Sequence, residues 1–306
     1  MDRTVGIIGT GWVGTSVAIS TLHSGAASAL WLADARSAVA EGEAMDLAHG
    51  AAFYPPCSVR VASLEEMRHT QVLVVAAGRG GKAGESRLDL LRDNARLVAD
   101  IGRGLQGYAG TVVMVTNPVD VLTQVMAQAS GLPPERVLGT GTMLDTARLR
   151  QMLGQQLGLA TNSIHAQVVG EHGDSEVVLW SGARVGGVPL RDWPGWDTAN
   201  EPRLATEVRR AAYEVIQRKG STNHAIGLVT ANLLRCLLQG ERRVLTVSRV
   251  QVGALGLQGV ALSLPTVVGR DGGTQVIVPA MDGAEQAALM HSAQVLRQAM
   301  ASVQTP

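Results

Sequence analysis

The chain has 306 residues, of which 46% are apolar and 17% charged, and its 26 basic and 26 acidic side chains cancel. That length implies two domains of roughly 150 residues each, with ample apolar material for their cores. Zero net charge argues against a broad nucleic-acid or membrane footprint, and no apolar stretch approaches the ~20 residues needed to span a bilayer.

The first strand pattern begins almost at once. Residues 4–9 (TVGIIG), 29–33 (ALWLA), 71–78 (QVLVVAAG), 111–117 (TVVMVTN) and 136–140 (RVLGT) are short apolar, β-branched runs bounded by Gly, Asn or Asp. They read as strands buried on both faces, as in a parallel sheet covered by helices. Helical patterns occupy 12–24, 36–49, 86–106 and 118–130. Asn117 before Pro118 reads as a helix cap followed by a residue suited to the first turn. Strand and helix in alternation predict an open α/β sheet over 1–141.

The rhythm then changes. A helix is expected at 142–157, strand–loop–strand at 163–181, and a polar segment with Pro and Trp at 189–203. A helical stretch at 204–239 breaks near Lys219 and Gly220. Antiparallel strands follow at 243–252, 259–268 and 274–278, then a terminal helix at 283–303. The expected fold class is therefore α/β: a Rossmann-type parallel-sheet domain (1–141), then an α+β catalytic domain with antiparallel strands (142–306). Cys57 and Cys236 are far apart and fit neither a disulfide framework nor a metal pair. Two reduced thiols and no signal-peptide pattern favour the cytoplasm.

Residues 9–14 (GTGWVG) have the G-x-G-x-x-G form between a strand and a helix. Gly9 permits the tight turn, Gly11 lets backbone approach a pyrophosphate, and Gly14 allows close helix–strand packing. Asp34 lies at the end of the second strand, where an acid accepts hydrogen bonds from ribose hydroxyls and repels a 2′-phosphate. The pattern favours NAD over NADP, although the neighbouring Arg36 could tolerate that phosphate. The structural alternative makes Asp34 a helix cap.

Three further segments carry chemistry. In GEHGDSE (170–176), His172 sits among small residues and carboxylates on an expected loop, without the helical spacing of a metal motif. In GTGTMLDTARLR (139–150), Asp145 and Arg148 share one helix face. In 77–94, a loop with Gly80, Gly81 and Gly84 runs into a helix bearing Arg87 and could close as a lid.

Together GTGWVG, GEAMDLAHG (42–50), the glycine-rich loop with GESRLDL, TNPVD (116–120), GTGTMLDTARLR, GEHGDSE and KGSTNHAIG (219–227) resemble the L-lactate/malate dehydrogenase family over essentially the whole chain. Glu171 and the SEVVLWS continuation are more similar to the lactate branch. The resemblance implies an NAD-dependent L-2-hydroxy acid dehydrogenase acting on pyruvate or a bulkier 2-oxo acid. An L-malate dehydrogenase and a non-catalytic dinucleotide-binding protein are the alternatives. It implies His172 as proton donor, Asp145 as its partner and Arg87 as the group that polarises the carbonyl. Arg148 would grip the substrate carboxylate, with Asn117, Thr222 and Gly81 also at the substrate. Gly9, Gly11, Trp12, Val13, Gly14, Asp34, Ala77, Gly78, Asn94, Asn117 and Ile226 would line the cofactor. No metal is expected.

Gly81 departs from the family pattern. Six positions before the loop arginine, lactate dehydrogenases usually carry Gln and malate dehydrogenases Arg. The glycine could open a larger pocket, let Arg79 or Lys82 meet a second carboxylate, or merely loosen the loop. Pyruvate and larger monocarboxylates rank level, with oxaloacetate behind. Arg150 and His165 match positions that bind fructose 1,6-bisphosphate between subunits in many bacterial relatives, and a homodimer or homotetramer is the family expectation.

Overall fold

The structure, a computed structural model, describes residues 3–80 and 86–304. Gly81, Lys82 and Gly84 lie outside the described residues, as does the side chain of Arg87.

The first half runs β1 (Thr4–Ile8), α1 (Trp12–Ser24), β2 (Ala29–Ala33), α2 (Ser37–His49), β3 (Ser58–Val61), α3 (Leu64–Met67), β4 (Val72–Val75), α4 (Arg87–Gly104), β5 (Thr111–Met114), α5 (Val119–Ser130) and β6 (Val137–Gly139). These six strands pair in parallel in the order β3-β2-β1-β4-β5-β6. Every residue of β1, β4 and β5 is buried, as continuous apolar runs require when helices cover both faces. The order reverses between β1 and β4, and the crevice at the carboxyl ends of such strands is where this architecture takes ligands.

β3 and α3 were not expected. Ser58–Val61 alternates polar and apolar and forms the outer edge of the sheet, with Arg60 stacked 4.0 Å over the Trp31 ring. α3 is a single turn closed by a capping box between Ser63 and Glu66. At α5 the expected cap is displaced by one residue. Pro118 is the N-cap, and Asn117 Oδ1 instead accepts the Val119 N–H at 3.3 Å.

The second half opens with α6 (Met143–Leu157). Short strands follow: β7 (Ile164–His165), β8 (Val168–Val169), β9 (Val177–Val178), β10 (Arg184–Val185) and β11 (Val188–Pro189). The long helical stretch is two helices, α7 (Glu201–Lys219) and α8 (His224–Gln239). They are broken as expected at Gly220, whose φ of 84° suits glycine. β12 (Arg243–Val252), β13 (Gln258–Gly269), β14 (Gly272–Val276) and α9 (Gly283–Gln304) complete the chain.

The last three strands are antiparallel, and they extend the first sheet. β12 meets β6 at Ser248 and Gly139, giving nine strands among the described residues. One core lies under α4, α5 and α9, a second under α1, α2 and α8, and a third gathers Leu149, Trp180 and Leu204 in the second half. Each buried Leu, Ile or Val contributes about 1.5–3 kcal/mol. Helix α8 thus crosses from the second half to pack on α1, which brings its start beside the glycine turn. Among the described residues no helix is long and apolar enough to cross a membrane.

Candidate active site

The glycine turn is shaped by exclusion. Gly9 has φ of 95°, and a Cβ there would stand 2.5 Å from the Ala77 nitrogen; one on Gly14 would stand 1.8 Å from the Gly9 carbonyl oxygen. A Cβ on Gly11 would meet nothing within 4 Å. The backbone before α1 is therefore packed on one side and open on the other, with the unpaired N–H groups of a helix start beside it. A cavity of about 850 Å³ opens there, lined by Gly9, Gly11, Asp34, Ala77 and Gly78 among others.

Asp34 ties the turn to the end of β2. Its Oδ2 accepts the Thr10 N–H at 2.9 Å and the Thr10 hydroxyl at 3.2 Å, and its Oδ1 accepts the Arg36 N–H at 3.0 Å. Burial opposes its ionisation, but the Arg36 and Thr10 donors prevail and hold it below the usual carboxylate range. It is not the cap of α2, which begins after Arg36. The Arg36 side chain is 75% exposed with its Nε 3.7 Å from Asp34.

The other expected cofactor residues divide. Gly78 sits so close to Thr116 that a Cβ would stand 2.5 Å from its methyl. Val13 and Ile226 pack against the same core, from α1 and α8. Trp12 is 66% exposed at the start of α1. Asn94 is buried, and its amide bonds both backbone groups of Arg79, at 3.0 and 3.3 Å. It therefore braces the loop after β4. The Arg79 guanidinium is 2.5 Å from Asp93 on α4. Open backbone over the turn, an ionised Asp34 and a cavity of this size fit a dinucleotide.

The second cluster assembles around one buried carboxylate. Asp145, in the first turn of α6, is 2% exposed. Its Oδ2 lies 2.6 Å from His172 Nδ1, and its Oδ1 accepts from Arg148 Nη1 at 2.8 Å. No other hydrogen bond of the Arg148 guanidinium occurs among the described residues. Burial works against protonating His172, but Asp145 overcomes it by charge and hydrogen bond, raising the imidazole to about 9. Burial likewise opposes ionisation of Asp145, yet His172 and Arg148 hold it low.

Two buried carboxylates beside this cluster escaped the sequence reading. Asp120, on α5, accepts the His172 backbone N–H at 2.7 Å, and burial, against Ser248 and that N–H, lifts it to about 6. Its place in TNPVD was the available signal. Glu176 is buried with Oε1 unpartnered among the described residues; burial and then the Asp145 charge push it up to about 8. It follows His172 by four residues in a motif whose nearer acids drew attention first. Thr222 lies in the short link between α7 and α8. Arg150 lines a separate 360 Å³ cavity with Arg243 and bonds the Ala166 carbonyl at 2.9 Å. His165, exposed on β7 opposite Arg184, does not line that cavity.

A doubly wound sheet with a dinucleotide cradle, joined to a half that holds a His–Asp–Arg cluster, defines an NAD-dependent dehydrogenase. The family model described as lactate/malate dehydrogenase, NAD binding domain, matches residues 3–139, and the one for the alpha/beta C-terminal domain matches 142–305. The L-lactate dehydrogenase of Thermus aquaticus is 42% identical over 306 residues, 98% of this chain and 99% of that one. That of Synechococcus sp. (strain JA-3-3Ab) is 41% identical over 300 residues, 97% and 98% of the two chains. The solved structure of the minor L-lactate dehydrogenase from Enterococcus mundtii, in a ligands-bound form, superposes with a TM-score of 0.96 at 36% identity and covers 100% of this chain and 99% of that one. The chain belongs to the lactate/malate dehydrogenase family.

Proposed function

We propose that the chain interconverts a 2-oxo acid and its L-2-hydroxy acid as a lactate-type dehydrogenase, with pyruvate its first candidate substrate. The observation that carries this is the single carboxylate of Asp145 holding His172 on one oxygen and Arg148 on the other. Reducing a 2-oxo acid requires a proton donor at the carbonyl oxygen and a cation at the carboxylate, side by side. His172 is the donor. With Nδ1 on Asp145, its Nε2 is the nitrogen left to face substrate, and Asp145 stabilises the imidazolium. Arg148 offers the free part of its guanidinium to the substrate carboxylate, in the paired geometry a lysine cannot copy. Gly9–Gly14 and Asp34 would hold NADH, which would supply the hydride. Asn117, Thr222 and Ile226 complete the pocket, and Arg87 is the residue assigned to polarise the carbonyl.

We assign a cofactor-binding part to 1–141 and a catalytic part to 142–306, a division supported by family models that match 3–139 and 142–305. Oxaloacetate is the less favoured substrate, since the similar proteins are named for lactate. Fructose 1,6-bisphosphate at Arg150 and His165 between two subunits of a homodimer or homotetramer is the accompanying expectation, and the cytoplasm the expected compartment.

The test is a panel of NADH-oxidation rates at pH 7 with pyruvate, oxaloacetate, 2-oxoisocaproate and phenylpyruvate, with and without fructose 1,6-bisphosphate. The highest kcat/KM for pyruvate supports the lactate reading. A bulky acid in first place supports a pocket opened by Gly81, and oxaloacetate in first place rejects both. His172→Ala should abolish most turnover while NADH still binds.

A further inference from the structure

A second concave site lies at the opposite end of the parallel strands from the cofactor cradle. It is a cavity of about 560 Å³ at the amino ends of β4, β5 and β6, walled by Arg68, His69, Arg136 and Arg270, and no carboxylate lines it. Residue 72 of β4 borders this cavity and residue 76, just past the strand, borders the cofactor cavity. At about 3.3 Å per residue the two are separated by roughly 13 Å of strand.

Arg68 and Arg136 are tethered here mainly by neutral oxygens. Arg68 donates to the Gln106 and Gly104 carbonyls at 2.9 and 3.5 Å. Arg136 donates to the Thr111 hydroxyl at 3.3 Å and the Arg270 carbonyl at 3.2 Å. Neutral acceptors fix a guanidinium but leave its charge. Asp271 stands 3.4 Å from Arg136 with its side chain 81% exposed, so solvent screens it. Arg68 and Arg270 make no ion pair among the described residues. Arg270 also walls an adjoining 210 Å³ cavity across from Arg242. Since the whole chain is neutral, this is segregated charge and not general basicity.

We propose that this cavity is an anion site for a small molecule bearing two or more phosphate groups. Several guanidinium forks set around one hollow suit phosphate oxygens better than a single carboxylate. The concave shape suits a small ligand rather than a polymer, and buried Leu237 and Leu238 in its lining suit an organic phosphate.

The test uses the full chain saturated with NADH, so that the cofactor cradle is filled, in an Arg150→Ala background that weakens the separate cavity lined by Arg150 and Arg243. Pyrophosphate and inorganic phosphate are titrated by calorimetry at low salt. Pyrophosphate should bind once per chain, at least about tenfold tighter than phosphate. Arg270→Glu and Arg68→Gln, the latter keeping a donor for the carbonyls, should each weaken it by at least about tenfold with NADH affinity unchanged. No binding of pyrophosphate, or binding that both variants leave intact, would overturn the proposal.

Discussion

Asp120 on α5 accepts the backbone N–H of His172 at 2.7 Å, across 52 residues of sequence. The histidine is thus held twice, its ring by Asp145 and its backbone by Asp120. The Asp120 carboxylate is 2% exposed, and its Oδ1 has no hydrogen-bond partner among the described residues. A buried polar oxygen without a hydrogen bond costs stability. Its charge favours the imidazolium, as does the larger contribution of Asp145.

Asp120→Asn should therefore keep the loop and lower the His172 pKa, moving the alkaline limb of pyruvate reduction toward neutral pH. Asp120→Ala removes the acceptor as well and should cost about 1–3 kcal/mol, or a few degrees of Tm. The pH–rate profiles of both variants check this. An unmoved limb in Asp120→Asn would show that the carboxylate charge is irrelevant to His172.

The free enzyme makes a directional pH prediction. Burial disfavours the imidazolium, but Asp145 outweighs it and raises His172 to about 9. Proton donation needs the charged ring, so kcat/KM for pyruvate should stay flat near neutrality and fall as pH rises through about 9. Oxidation of lactate needs the neutral ring and should rise over the same interval. Because the folded pKa lies above the ordinary 6.5, this pair stabilises the fold fully below that value, and the contribution is lost as pH climbs through 9. Asp145→Asn should bring the limb well below 9, since burial and the Arg148 charge are then opposed only by the weaker Asp120 contribution, and should cut kcat by roughly 10³–10⁴. A limb that stays near 9 in that variant would assign it to another group.

Much of this arrangement is legible in the sequence. The buried parallel strands announce themselves as unbroken apolar runs, and the glycine turn, Asp34, His172, Asp145 and Arg148 each stand in motifs with a chemical reason for their spacing. What was not readable depends on distant pairing. β3 is a four-residue edge strand with exposed Ser58 and Arg60, too short and too polar to signal itself. The antiparallel strands were expected, but their union with β6 rests on a Ser248–Gly139 bridge that no local pattern encodes. Asp120 read as part of a helix start, and only the folded chain brings the His172 N–H to it. Asn94, expected at the cofactor, also closes its amide on the Arg79 backbone, a loop geometry that local propensity does not specify.

The proposed role of Asp34 is to set the cofactor preference through charge. Its carboxylate is ionised and 12% exposed, and it faces the cavity beside an exposed Arg36. A 2′-phosphate there would meet a fixed negative charge. Asp34→Ser should weaken NADH by about tenfold, one good charged hydrogen bond, and bring NADPH closer to it with Arg36 as the new partner. Steady-state kcat/KM for both cofactors decides. An unchanged NADH/NADPH ratio would remove Asp34 from the discrimination.

The contact between α1 and α8 supplies the last test. Gly227 on α8 lies against Ser16 on α1 so closely that a Cβ would stand 2.5 Å from the Ser16 carbonyl oxygen. Asn223 reinforces the contact, donating to the Ser16 hydroxyl at 2.9 Å. The obstacle is backbone, so Gly227→Ala must push one helix away and should cost about 1–3 kcal/mol. That displacement reaches the glycine turn at the head of α1, so NADH affinity should fall together with Tm. Gly42 in the middle of α2 is the opposite case, because a Cβ there meets nothing within 4 Å. Gly42→Ala should stabilise the chain by about 0.5–1 kcal/mol through helix propensity, with NADH affinity unchanged. Thermal melts and NADH titrations of the two variants separate close packing from generic helix effects. If Gly227→Ala melts at or above the parent, α1 and α8 are not locked together at this point.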